Sequence, residues 1–369
     1  MMGGGSTSFI GILHRIASYM NERYQLVGGV FDVDYERALA FADQLELDRN
    51  RAYENIDVFI EKELALPKSE RIEVVVIATP NNLHYPMAKK LIEADFHVIC
   101  EKPVTITSNE AEDLANSLKT HPVVFGLTHT YTGYPMIRQM KTMIAEGIIG
   151  RIQRVDAQYY QGWINPVIHD VEKRKTVWRL NPEMSGISCC IGDVGVHAFN
   201  MLEYTTGLQV KNVLSDIDTL YDDNPLDVDG TVLLRMSNGS KGVIRGSQIA
   251  TAEENAFTVA VYGDKGGLKW AQEDPTRLTH LSEGEPARTL TPGNAYNGDF
   301  SLLSTKMAPG HPEGIFDAMG NIYKGLAKAI RGEDFVDGAF PSINDGVRGM
   351  KFVEAVVESS KEGNVWKEV

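Results

Sequence analysis

The chain has 369 residues, 43% hydrophobic and 23% charged, with a formal net charge of -14. That length sets two domains as the expectation, each able to bury its own core, and the acidic balance excludes a nucleic-acid partner, which needs clustered Lys and Arg. No apolar run approaches the roughly 20 residues of a membrane helix, the opening MMGGGSTS lacks a basic-then-apolar leader pattern, and three cysteines (Cys100, Cys189, Cys190) without a secretion signal fit reduced thiols in the cytoplasm.

In chain order, GGGSTSFIG (3–11) runs into an apolar-periodic helix carrying Ile12, Leu13, Ile16 and Met20. Glycines at such a turn let the backbone approach a pyrophosphate seated on the helix N-terminus. Gly3, Gly5, Ser6, Phe9 and Ile10 are therefore candidate nucleotide contacts. The spacing is not G-x-G-x-x-G, and a flexible terminus is the alternative reading. Residues 25–32 form a strand candidate that closes on Asp32. A carboxylate there can bind both ribose hydroxyls of an adenosine and repel a 2′-phosphate, or it can simply cap the next helix. The first option points to NAD, while Arg37 close by keeps NADP open. A helix is predicted over 34–46, and 73–79 (EVVVIAT) reads as a strand buried on both faces. Ligands of open parallel sheets sit beyond the carboxyl ends of such strands, which places Thr79, Pro80, Asn81 and His84 to touch a cofactor. A helix at 85–95, a strand at 97–101, capping-box spacing at 107–110 and a strand at 123–128 complete the alternation. The fold class is α/β, with a parallel doubly wound sheet over domain 1–127.

After about residue 150 the pattern changes. Residues 152–160, 228–236, 240–250 and 256–262 are strand-like, joined by turns such as SNGS (237–240) and GDKGG (263–267). They predict a mostly antiparallel sheet with one face open to another subunit. Residues 283–312 read as a long loop, and helices are expected at 313–331 and 343–361, packing back toward the first domain from a second domain of 128–369.

Two strings carry the chemistry. HVICEKP (97–103) ends a buried strand in Glu101, Lys102 and Pro103, where a cis Lys102–Pro103 bond is plausible. A partly buried Lys102 can hydrogen-bond a substrate hydroxyl and favour its alkoxide, against the alternative of a solvated lysine. GDVGVHAFN (192–200) puts Asp193 and His197 at i, i+4 on one helix face. Lysine, imidazole and carboxylate together are the set that takes a proton off an alcohol while a hydride leaves its carbon. A metal pair lacks further ligands at a typical spacing, so no metal is expected. A core histidine satisfied by its neighbour is the alternative, and Lys102 favours catalysis over it. The Cys189–Cys190 pair reads either as a redox switch or as two small apolar residues.

Taken in order, TPNNLH (79–84), EKP (101–103) and D-x-G-x-H (193–197) resemble the glucose-fructose oxidoreductase / inositol dehydrogenase / MocA family over nearly the whole chain. The resemblance implies an N-terminal Rossmann domain and a C-terminal α/β domain whose large open sheet commonly forms the interface of a homodimer or homotetramer. It adds Glu101 and Lys102 to the cofactor contacts. FIGILHR (9–15), THTYTGYP (128–135) and PGHPEG (309–314) resemble a sugar- and cyclitol-oxidising branch. That implies substrate contacts at His129, Tyr131, Tyr134, Arg179 and His311 beside Asp193 and His197. Tyr131 and Tyr134 can equally be packing aromatics, Arg179 a salt-bridge partner, and Trp163 a core or interface residue. The implied reaction is reversible oxidation of a ring secondary alcohol of a sugar, anhydrosugar or cyclitol. His197 is then the general base, Asp193 orients its imidazole, Lys102 holds the same oxygen, and NAD takes the hydride. An NAD-dependent glycosidase and a non-catalytic NAD-binding regulator are the rival classes. The family pattern has a full first strand ahead of the glycine turn. Here only Met1 and Met2 precede it, and the expectation is a natural start upstream.

Overall fold

The computed structural model describes residues 1–369 and falls into two compact units. The first comprises Met1–Thr105, Asn109–Thr128 and Met319–Val347. Its elements are β1 (Met2–Gly3), α1 (Phe9–Tyr19), α2 (Tyr35–Gln44), α3 (Ile56–Ala65), β2 (Val74–Ala78), α4 (His84–Glu93), β3 (His97–Cys100), α5 (Ser108–Thr120) and β4 (Phe125–Leu127). The strands lie in the order β1-β2-β3-β4, all parallel. On the far side of β1, isolated parallel bridges Met2↔Val30 and Gly29↔Ala52 extend the order outward. The chain thus winds away in both directions from the gap between β1 and β2, and a ligand crevice belongs beyond the carboxyl ends at that reversal.

The sequence reading differs from the structure at two places here. A first strand does exist, two residues long, with the Met1 ammonium buried and donating to Gly28 O at 2.9 Å. Conversely, the strand predicted over 25–32 is reduced to bridges at Gly29 and Val30, because β1 offers only two residues to pair against. Elsewhere the local rules hold. Ser8 caps α1 by accepting from Gly11 N, and Asp34 caps α2 by accepting from Arg37 N. Val75 and Ile77 of β2 are fully buried.

The second unit comprises Ile106–Ser108, His129–Ala318 and Arg348–Val369. It contains α6 (Pro135–Ala145), β5 (Ile152–Tyr160), the short α7 (Asn165–Ile168), α8 (Val171–Thr176) and α9 (Pro182–Ser185), and α10 (Val196–Thr206). Next come β6 (Val210–Asp218), β7 (Asp229–Met236), β8 (Lys241–Ser247), β9 (Ala256–Gly263), β10 (Gly266–Ala271), β11 (Leu278–Ser282), β12 (Arg288–Leu290) and α11 (Asp299–Leu302). The chain ends with α12 (Ile315–Arg331), α13 (Ile343–Lys361) and β13 (Lys367–Glu368). Nine strands form one sheet, β12-β11-β10-β9-β5-β8-β7-β6-β13, antiparallel except for the β5–β8 pair. Alternate residues of β7 are buried and exposed, the mark of a sheet covered on one face. The covered face packs against α6, α10 and α13, where Phe199 and Phe352 stack at 4.5 Å.

Residues 319–347, placed in the second domain by the sequence reading, cluster with the first unit. Within it, a Cβ on Gly126 of β4 would meet Leu326 of α12 at 2.4 Å, so this strand needs glycine for the helix to approach. The three cysteines are all buried, and none forms a disulfide. No helix is long and apolar enough to cross a membrane.

Candidate active site

The first unit carries a nucleotide cradle at the β1/β2 reversal. Gly3 and Gly4 both adopt φ of +72°, open only to glycine without strain. A Cβ on Gly5 would meet Phe31 O at 2.7 Å, and one on Gly11 would meet Gly4 O at 2.4 Å. The turn therefore brings bare backbone to the N-terminus of α1, as a pyrophosphate requires. Phe9 lies exposed at that helix start. The same hypothetical Gly5 Cβ lies 3.9 Å from Asp32 Oδ2, so the carboxylate stands beside the turn. Asp32 accepts from Asp34 N at 3.0 Å and from Arg37 Nη2 at 2.8 Å, and these bonds hold its carboxyl below the ordinary range. At the end of β2 the Thr79 hydroxyl is buried with no protein partner. Glycine cradle, neighbouring carboxylate and orphan hydroxyl fit a dinucleotide. Pro80 and Asn81 lead into a short turn over 81–83 that starts α4.

His84 takes a different part from the expected one. Its ring is buried, with Nδ1 2.7 Å from Pro103 O and Nε2 3.0 Å from Thr79 O. Both nitrogens face carbonyls, to only one of which the neutral ring can donate, so the side chain joins the 79–80 turn to the 102–104 turn and offers neither nitrogen to a cofactor. Burial pushes its pKa down, opposed by those two bonds.

Glu101 is likewise an anchor. Its Oε1 accepts from His14 Nε2 at 3.0 Å and Thr128 Oγ1 at 2.6 Å, and its Oε2 from Lys102 N at 3.2 Å. Burial alone would raise this carboxyl, but the His14 and Thr128 bonds and the His14 charge outweigh it and hold it low. His14 Nδ1 in turn meets Tyr323 OH at 2.7 Å. Lys102 is half-buried, and the Lys102–Pro103 peptide is cis. His14, Thr128 and Tyr323 were not legible as site residues, being single polar residues on apolar faces.

In the second unit, the sequence expectation of one α-helical face for Asp193 and His197 is corrected. Asp193 sits in a π-helical turn (Ile191–Gly195), and His197 in the first turn of α10. Such wide turns are rare and recur at functional sites. The turn is set from below by buried Asp227, which accepts from Cys189 N at 3.0 Å and Ile191 N at 2.8 Å. Burial pushes the Asp227 carboxyl up against those bonds. Asp193 Oδ2 accepts from Gln248 Nε2 at 2.8 Å and lies 3.6 Å from Arg179 Nε. The Arg179 guanidinium stands over Trp178 at 4.4 Å and Trp163 at 5.8 Å.

His197 is buried, its Nδ1 3.3 Å from His129 Nδ1. Tyr131 meets its ring edge-on at 4.8 Å. Tyr131 OH pairs with Tyr159 OH at 2.5 Å, Tyr159 OH donates to Asn255 Oδ1 at 2.6 Å, and Gln161 Nε2 donates to the same oxygen at 2.9 Å. Burial raises the Tyr159 hydroxyl pKa, keeping it neutral. The structure thus gathers His129, Tyr131, Arg179, Asp193 and His197, and adds Tyr159, Gln161, Gln248, Asn255 and Trp178. Tyr159 in β5 and Gln161 just past its end stayed hidden, since alternation alone does not distinguish a core tyrosine from a site one. Tyr134 proves a core aromatic, buried against Trp270 at 5.4 Å. His311 lies outside the cluster on an exposed loop, its ring bonded back to Ala308 O. No group of three or more His, Cys, Asp or Glu is arranged to hold a metal.

Two family models match the chain. Residues 4–129 match the oxidoreductase family, NAD-binding Rossmann fold, and residues 137–269 match the GFO/IDH/MocA C-terminal domain. The uncharacterized oxidoreductase YfiI of Bacillus subtilis is 33% identical over 100% of this chain and 95% of its own length. Levoglucosan dehydrogenase of Pseudarthrobacter phenanthrenivorans is 28% identical over 81% of this chain and 80% of its own. Among solved structures, an inositol dehydrogenase homolog of Azotobacter vinelandii complexed with NAD+ superposes with a TM-score of 0.93 at 33% identity, covering 100% of this chain and 96% of that one. The same homolog complexed with NADH and myo-inositol gives 0.91 at 31% identity, with the same coverage.

Proposed function

This chain belongs to the Gfo/Idh/MocA family of NAD-binding oxidoreductases, and on that premise we propose that it oxidises a ring secondary alcohol of a cyclitol or sugar to the ketone. The observation that carries the reading is the His197 cluster. A buried imidazole is surrounded by His129, Tyr131, Tyr159 and Asn255, a density of donors and acceptors suited to a polyhydroxyl ring. Myo-inositol and levoglucosan are the first substrates to try, from the ligand and name of relatives above the level of fold likeness alone.

His197 accepts the hydroxyl proton as the general base in this reading. Asp193 supplies the negative charge that favours the resulting imidazolium. In this reading Lys102 hydrogen-bonds the same substrate oxygen and stabilises its developing negative charge. The glycine turn, Asp32 and Thr79 would hold the dinucleotide by its pyrophosphate and ribose. NAD+ supplies the hydride acceptor when bound. We further propose a cytoplasmic homodimer or homotetramer that pairs through the open face of the nine-stranded sheet. A trough of about 400 Å³ there, lined by Asp156, Gln158, Arg245, Tyr262 and Lys269, offers charges of both signs.

The test is reduced-nicotinamide absorbance with NAD+ or NADP+ and a panel of inositols, pyranoses and anhydrosugars. The expected result is NADH formed with at least one cyclitol or sugar. Bound NAD without turnover on any member would overturn the reading.

A further inference from the structure

We infer that Gln248 is a positioning residue for the reaction, fixing the Asp193 carboxylate through an amide whose own orientation is set by the Cys189 thiol. The inference rests on the dehydrogenase reading only for its kinetic arm.

Asp193 lies on a π-helical turn, Ile191–Gly195, and side chains of other elements reach it. Its restraint comes from other elements. Arg179 Nε is 3.6 Å away on a side chain 41% exposed, a loose hold. Gln248 is fully buried directly after β8, and its Nε2 reaches Asp193 Oδ2 at 2.8 Å. The Gln248 backbone is held on both sides, its N–H donating to Val228 O at 2.8 Å and its carbonyl accepting from Ile164 N at 3.3 Å.

An amide has two ends of nearly the same shape, one donating and one accepting. A carboxylate accepts, so the NH2 end must face Asp193. The other end, Oε1, accepts from Cys189 Sγ at 3.2 Å. Flipping the amide would lose both bonds at once. Cys189 is itself placed by Asp227, whose carboxylate takes the N–H groups of Cys189 and Ile191. One chain of contacts, Asp227 to Cys189 to Gln248 to Asp193, therefore closes around the turn and holds both its backbone and its working side chain. It also gives Cys189 a task that neither a redox switch nor a small apolar filler describes.

Two experiments test this. Gln248→Met keeps the volume and removes the donor. It should lower kcat by on the order of 10- to 100-fold with KM within about twofold, since one hydrogen bond to a charged group is lost from a transition-state contact. Cys189→Ala should lower kcat by several-fold, and Cys189→Ser, which restores a donor to the amide, should regain most of that loss. Wild-type kcat in Gln248→Met, or no rescue by Cys189→Ser, overturns the inference. The second experiment needs no turnover: thermal melts of Gln248→Met, Asp193→Ala and the double variant. The drop caused by Gln248→Met should shrink markedly when Asp193 is already Ala, whereas strictly additive drops overturn the coupling. A wild-type enzyme silent on every polyol would sink the dehydrogenase reading, while the melts would still decide this one.

Discussion

Glu101→Gln isolates one of the few fully enclosed charges near the proposed chemistry. The carboxylate accepts three bonds, from His14 Nε2, Thr128 Oγ1 and Lys102 N. Glutamine has the same shape, but one end becomes a donor. Turned one way, its NH2 meets the Lys102 N–H, donor against donor; turned the other, His14 must change tautomer and Thr128 must rotate to accept from it, and in either case the charge-assisted bonds are lost, at a cost of about 1–3 kcal/mol in all. Removing a charge from the interior returns part of that, since burial is the largest influence opposing ionisation of Glu101. The net expectation is about 2 kcal/mol of destabilisation, or a melting point lower by about 4–8 °C. The pH dependence has a definite sign. The folded carboxyl titrates below its ordinary 4.5, so its stabilising contribution is complete above that pH and is lost as pH falls through the lower folded value. The gap between wild type and variant should be widest near neutrality and should close in acid. Melting curves from about pH 3 to 7 check this, and a variant within 1 °C of wild type throughout (about half a kcal/mol or less) would refute the account of Glu101 as an ionised anchor.

Three further outcomes follow from the geometry. His84→Gln should flatten the stability profile below about pH 6.5, because the buried neutral imidazole contributes fully above its ordinary pKa and loses that contribution as pH falls through the depressed one; unchanged urea midpoints across that range would count against it. Asp32→Ala should weaken NAD binding by about 10-fold while freeing Arg37, whose side chain is 65% exposed, for a 2′-phosphate. A fluorescence titration giving an unchanged NAD to NADP affinity ratio would remove Asp32 from the ribose. Tyr159→Phe strands the Tyr131 hydroxyl and half of the Asn255 contact, and should cost about 1–3 kcal/mol in unfolding together with a fall in kcat. An intact melting point in that variant would show the hydroxyl chain to be dispensable.

Much of the first unit was legible because its signals are local. The β-branched run of β2 and the EKP string each announce themselves within a few residues. What stayed hidden depends on pairing across long separations. Strand β6 carries a bulge between Val210 and Asn212 that breaks its alternation, so its pattern resembles a loop. The stretch 25–32 has the composition of a strand but too short a neighbour. Asp193 and His197 were found by spacing, yet the turn between them is π rather than α, which no i, i+4 rule reports. Gln248, Tyr159 and Asn255 come from three separate strand ends. Their convergence is a property of the sheet order, and no motif of adjacent residues encodes it.

The burial of all three cysteines makes the molecule convenient for spectroscopy. The thiols of Cys100 and Cys190 are pushed well above their usual pKa by desolvation, and Cys189 is buried with its sulfur committed to Gln248. A maleimide reagent, which needs an accessible thiolate, should therefore leave the native protein almost unlabelled. Cysteines introduced singly at exposed positions such as Val33 or Tyr296 would accept a dye or spin label as unique sites, without first stripping the background and without disturbing the residues that surround Asp193.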